Sequence, residues 1–240
     1  TYLPTSADKT YFLPPTLTNG NVHGIIVLNV YNERLLRLLA ETQIPKVFLD
    51  TSSLVAPDEL NGDLLLMESR TSVRRITCHL LEQGRTLPGF IGDISYAQSN
   101  RERYEGFCQA LADAGKKVDS SLCLTTPLGI DTYREEIDTF LSSLSRMPDA
   151  FVCASDYVAC ILMQLLEKRG LRVPEDVAVS GFDNNTEDLL AEHLTTVQVF
   201  NEELGARLAL QILYRIKYPN TPHEITYLGT NVLYRDSTGD

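Results

Sequence analysis

The 240-residue sequence predicts an α/β fold with parallel sheets covered on both faces. Two observations carry this. Short apolar, β-branched runs alternate along the chain with helix-like segments of 10 to 17 residues, the pattern of strand–helix crossovers. Acids also stand just past the ends of several of those runs, at Asp50, Asp156 and Asp183. In open α/β sheets that edge is where ligands bind.

The elements follow in order. Residues 22–28 (VHGIIVL) read as a strand after a turn at Asn19-Gly20, and 33–41 as a helix with apolar residues at 35, 36, 38 and 39. Pro45 interrupts, 46–49 is a strand ending at Asp50, 54–62 a loop and 63–67 a strand. Helices over 69–83, 101–114 and 157–168 close at Gly84, Gly115 and Gly170, the residue type that most readily ends a helix. Strands are predicted at 89–91, 121–124, 150–154, 177–180 and 196–199, with a further helix at 133–144. A helix over 201–217 stops before Pro219, and strands at 225–228 and 231–234 finish the chain. No Pro/Gly linker divides it, so two subdomains would have to be joined by several crossing strands.

Composition narrows the function. The chain is 43% hydrophobic with net charge −11, and its charges form no long single-sign block. Such a surface repels a phosphate backbone, so these residues are not expected to bind DNA by themselves. No apolar run is long enough to predict a membrane span. Five cysteines, at 78, 108, 123, 153 and 160, show no C-x-x-C spacing. Free thiols in a reducing compartment are expected, hence a cytoplasmic protein. There is no G-x-x-x-x-G-K-S/T, no G-x-G-x-x-G after a strand, no G-x-S-x-G and no H-E-x-x-H. The four histidines, at 23, 79, 193 and 223, are scattered. The expectation is a binding protein rather than an enzyme, with no cofactor and no metal.

Three segments carry a resemblance. RVPEDVAVSGFDNNTEDLLAEHLTTV runs from Arg172 to Val197, FIGDISYAQSNRERYEGFCQALADAG from Phe90 to Gly115, and DAFVCASDYVACILMQLLEKRGLRVPEDV from Asp149 to Val177. In order and spacing they resemble the LacI/GalR family of bacterial transcriptional regulators, which are related to periplasmic sugar-binding proteins. The resemblance implies two Rossmann-like lobes joined by three crossovers, the type I periplasmic binding protein-like fold. One lobe is expected to hold residues 1–67 and 201–224, the other 68–200 and 225–240. The family's first strand and helix, and its helix-turn-helix DNA-binding domain, are expected to precede Thr1. Residues 1–20 read as the end of a second strand and the approach to Val22.

The resemblance also implies a function. The chain is expected to be the effector-binding and dimerisation part of a regulator that senses a sugar or sugar derivative between its lobes and reaches operator DNA through the upstream domain. The competing expectation is a periplasmic sugar-binding protein of a transporter. Arg101 matches the family's ligand-binding arginine, with nearby Arg103 as the candidate for the surface one. Asp183 and Asp50 match acids lining the cleft, and Ser155 stands where the family often has Asn. Asn29 is a further polar candidate. Tyr96 and Tyr133 are aromatics able to stack on a sugar ring, although core packing or plain exposure is the commoner fate of each. At position 199 the family often carries a polar residue and this chain has Val. Taken alone, Asp183 reads more readily as the cap of a following helix or an Asx turn than as a ligand group.

Overall fold

The computed structural model describes residues 7–17, 19–129, 131–185 and 192–239. Ten strands and six α-helices are described: β1 (Ile25–Leu28), α1 (Glu33–Glu41), β2 (Lys46–Leu49), β3 (Asp63–Met67), α2 (Arg70–Glu82), β4 (Pro88–Ile91), α3 (Gln98–Asp113), β5 (Cys123–Leu124), α4 (Tyr133–Ser143), β6 (Ala150–Cys153), α5 (Asp156–Lys168), β7 (Ala178–Ser180), β8 (Thr196–Gln198), α6 (Asn201–Lys217), β9 (Ile225–Leu228) and β10 (Asn231–Leu233). Residues 1–6 and the helix that Asp183 was read as capping, which would run through 186–191, lie outside the described residues.

The chain divides into two units. The first contains Thr1–Met67, Tyr96–Ser99 and Phe200–Gly229, and the second contains Glu68–Ser95, Asn100–Val199 and Thr230–Asp240. The final passage falls after Gly229 rather than after residue 224, because β9 completes the first unit's sheet beside β3. Tyr96–Ser99, placed by sequence within 68–200, clusters with the first unit through the bond from Gln98 N to Thr51 O (2.8 Å).

The first unit is built on a parallel sheet of order β1-β2-β3-β9. Its central strands β2 and β3 are buried almost throughout, as their unbroken apolar runs require. The edge strands β1 and β9 alternate exposed positions with more covered ones. Asn32 caps α1 by accepting from Leu35 N at 3.0 Å, and the helix turns Leu35, Leu36 and Leu39 onto Phe48, Leu64 and Leu66. One buried ion pair anchors α6. Asp63 accepts Arg215 Nε (3.0 Å) and Nη2, Gln211 Nε2 (2.8 Å) and the Glu224 amide (2.9 Å). Arg215 spends its other donors on Thr221 O, Thr221 Oγ1 and Pro222 O. Every donor and acceptor of the pair is thus engaged, the condition under which a buried pair is tolerable.

The second unit is built on a parallel sheet of order β5-β4-β6-β7, beside an antiparallel ribbon of β8 and β10. Beyond β7 the chain runs alongside β8, with Gly181 N donating to Thr195 O (2.8 Å) and Asp183 N to Val197 O (3.1 Å). Helix α5 packs Ala159, Leu162, Leu165 and Leu166 into the core with Phe151 and Val179. The predicted stops hold: Gly84, Gly115 and Gly170 all have positive φ, a conformation that costs a residue with a Cβ.

Helices α2 and α3 meet backbone to backbone. A Cβ at Gly106 would stand 2.2 Å from Arg70 O. Helix propensity favours Ala over Gly by about 1 kcal/mol, but this overlap forces the helices apart. Gly106→Ala is therefore predicted to lose stability by about 1–3 kcal/mol, read as a lower midpoint in urea. A gain in stability contradicts this packing.

Candidate functional site

The strands of the second unit end together. Past β4 comes Asp93, past β6 come Ala154, Ser155 and Asp156, and past β7 come Phe182 and Asp183. Above that edge lies Arg103, on the second turn of α3 and only 4% exposed. Its guanidinium stacks on Phe182 at 3.7 Å from the ring centroid and donates Nη1 to Ala154 O. Nη2 lies 3.7 Å from Asp183 Oδ1, beyond hydrogen-bond range. Nε is buried without a partner among the described residues.

Arg103 corrects the sequence reading, which took it as a surface residue. Positions i and i+2 of a helix point to different faces. Arg103 is the one beside Asp183. The missed signal was local: YEGF puts Gly106, the close contact with α2, three residues after Arg103. One face of α3 thus carries both the packing glycine and the buried arginine.

Asp183 sits at φ +113°, outside the ordinary range for a residue with a Cβ. Its side chain is still 42% exposed. Burial pushes its carboxyl above the ordinary range, against the pull of the Arg103 charge. The following Asn184 is fixed on three sides. Its amide donates to Thr196 Oγ1 (3.2 Å), its Nδ2 to Gln198 Oε1 (2.5 Å), and its Oδ1 accepts Arg235 Nη2 (2.8 Å). The polar group sought at position 199 is met one residue earlier, at Gln198; Val199 is buried.

Asp156 is the hidden organiser of this edge. It is 2% exposed, accepts Thr196 Oγ1 (2.6 Å) and the Asn185 amide (2.8 Å), and donates its own amide to Phe182 O (2.8 Å). A Cβ at Gly181 would overlap its Oδ1 at 2.2 Å, which explains a glycine at that strand end.

The other sequence candidates have local roles. Asp50 is buried and tied to the start of α3, accepting Ser99 Oγ (2.6 Å) and the amides of Thr51 (2.8 Å) and Ser99 (3.3 Å). Ser155 caps α5, its Oγ accepting Val158 N at 3.3 Å. Tyr96 packs on Tyr31 with ring centroids 4.3 Å apart. Tyr133 makes an edge contact with Tyr157 at 5.7 Å. Asn29 is exposed with φ +55°. Arg101 is partly buried on α3. Among the described residues no three His, Cys, Asp or Glu side chains are grouped to hold a metal ion. All five cysteines are free.

Burial pushes the Asp156 carboxyl from 3.8 up to about 6, the Thr196 and Asn185 bonds only partly offsetting it. Between those values the folded chain holds a proton that the unfolded chain has released. Stability from this group therefore falls as pH rises from about 4 to 6, by at most about 3 kcal/mol. In Asp156→Asn that slope should vanish. Urea titrations of both proteins across pH 4–7 should show native stability declining relative to the variant. Parallel profiles contradict a raised Asp156.

Comparison with known proteins places the architecture. A family model described as a periplasmic binding protein-like domain matches residues 77–238. The HTH-type transcriptional repressor PurR of Aliivibrio fischeri (strain MJ11) is 29% identical over 92% of this chain and 66% of its own length. The HTH-type transcriptional regulator DegA of Bacillus subtilis (strain 168) is 31% identical over 70% of this chain and 48% of its own. The solved complex of the transcriptional regulator CelR with cellobiose superposes with a TM-score of 0.82 at 27% identity, covering 93% of this chain and 68% of that one. The chain thus spans two thirds or less of the curated relatives it matches. Two α/β units on parallel sheets, this family match and these relatives lead to one conclusion: the chain belongs to the periplasmic binding protein-like family, as an effector-binding domain of the LacI/GalR type.

Proposed function

We propose that this chain senses a small hydroxylated molecule, a sugar or sugar derivative, for a LacI-type transcriptional regulator. The observation that carries the proposal is the pairing of Arg103 with Asp183. A buried guanidinium with an unused Nε donor faces a half-open carboxylate acceptor across 3.7 Å. A hydroxyl both donates and accepts, so adjacent ring hydroxyls match this pair. Asn184 and Gln198 extend the polar edge. A regulator's sugar complex among the structural relatives supports the same ligand class.

On this reading the chain performs no chemistry. Ligand binding biases a two-state equilibrium by its differential affinity for the two states. In the longer protein that bias reaches operator DNA through a separate domain, and the working unit is a cytoplasmic homodimer matched to two-fold operators. No described helix is long and apolar enough to cross a membrane.

A thermal-shift screen of mono- and disaccharides, cellobiose included, identifies the ligand, and calorimetry then measures the variants. Arg103→Ala leaves ligand acceptors unpaired and should cost about 1–3 kcal/mol, roughly tenfold to a hundredfold in affinity. Asp183→Asn keeps the shape and removes the charge, and should weaken binding if the acid accepts from two hydroxyls. Unchanged affinity in both variants sinks the assignment of the site.

A further inference from the structure

At the opposite end of the first unit's sheet, where β2 and β3 begin, lies a small pocket of about 90 Å³ lined by Thr42, Lys46, Asn61, Arg215, Pro219 and His223, among others. Its titratable lining groups, Lys46, Arg215 and His223, are all basic. Lys46 is only 2% exposed, and its ammonium is held by two carbonyls, Thr42 O (2.9 Å) and Asn61 O (3.1 Å). No carboxylate is paired with it among the described residues. An ammonium has three protons to donate, so one remains. Gly62 lets the lysine stem lie this deep: a Cβ there would stand 2.5 Å from Lys46 Cγ.

Neither nearby acid bonds the Lys46 ammonium. Asp63 is bound up with Arg215, Gln211 and the Glu224 amide, and Glu224 accepts Gln211 Nε2 at 3.3 Å. Arg215 has all its donors engaged and its charge paired with Asp63, leaving Lys46 as the cation with a donor to spare. A buried cation without a partner is costly, and something of opposite charge would relieve it. The volume is about three times the share of one liquid water molecule, room for an ion of a few heavy atoms.

We propose that this pocket binds a small oxyanion, held by the free proton of Lys46 and by His223. The ion is either free or the terminal phosphoryl group of a larger molecule. This site lies at the opposite strand ends from Asp50 and is independent of the Arg103 cluster. Burial lowers the Lys46 pKa to about 8, and lowers that of His223 together with the Arg215 and Lys46 charges, while Asp63 raises it. Bound anion favours the charged amine, so binding should take up protons near pH 8 and weaken above it.

The test is calorimetry of this chain with sulfate, whose charge is constant from pH 7 to 9.5, at fixed ionic strength set with chloride. Saturable one-to-one binding is expected at pH 7, at least tenfold weaker at pH 9.5. Lys46→Met and His223→Gln should each weaken it about tenfold, while Arg103→Ala leaves it intact. The exposed His223 and the native pH profile decide the matter even if Lys46→Met does not fold. Glycerol phosphate binding as tightly as sulfate assigns the site to a phosphorylated molecule; its exclusion assigns it to the free ion. Absence of saturable binding at millimolar sulfate, a flat pH profile, or loss of binding in Arg103→Ala overturns the proposal.

Discussion

The buried guanidinium of Arg103 is the constraint on which the second unit's edge depends. It is stacked on Phe182, bonded to Ala154 O and set beside Asp183, so one side chain from α3 joins the ends of β6 and β7. Buried, it needs acceptors and a counter-charge. The strand ends supply only part of this, one carbonyl at bonding distance and one carboxylate held back at 3.7 Å. The arrangement is poised for a further acceptor. Asp156 keeps it in place from below by fixing the loop after β7 through Asn185, Thr196 and Phe182. Two carboxylates on one edge thus divide the work: Asp156 is sealed and structural, Asp183 is partly open.

What could be read from the sequence follows from which forces are local. Strand and helix order is a matter of hydrophobic period and of glycines at helix ends, so β2, β3, β6 and α5 stand close to where their patterns put them. Site residues depend on which face of a helix meets which strand end. A two-residue difference between Arg101 and Arg103 swings the side chain to another face, and the one local sign of which is buried is the three-residue step from Arg103 to the packing glycine Gly106. The same limit applies to strand-end acids. Asp50 and Asp183 look alike in sequence, yet Asp50 is buried and bonded to Ser99 and Thr51 while Asp183 is partly open. Ser155, sought as a ligand group, also caps α5, its Oγ accepting Val158 N. Asp156 was visible as an acid, but its burial depends on Thr196 and Asn185, about 40 and 30 residues away in the chain.

Polar groups at the two ends of the sheets are handled differently. At the amino end of the first unit, Asp63 and Arg215 satisfy each other and hold α6, leaving Lys46 as the group with charge to spare. At the carboxyl edge of the second unit, charge is balanced but hydrogen bonding is incomplete, with Arg103 Nε unused. The first arrangement suits an anion; the second suits a neutral ligand rich in hydroxyls.

The most direct measurement is a crystal structure of the chain with the sugar that most raises its melting temperature. The account predicts a ligand oxygen within about 3.2 Å of Arg103 Nε or Nη2, with a second hydroxyl donating to Asp183 and Phe182 still beneath the guanidinium. A ligand bound away from the carboxyl edge of β4, β6 and β7, with Arg103 and Asp183 unchanged, would contradict it.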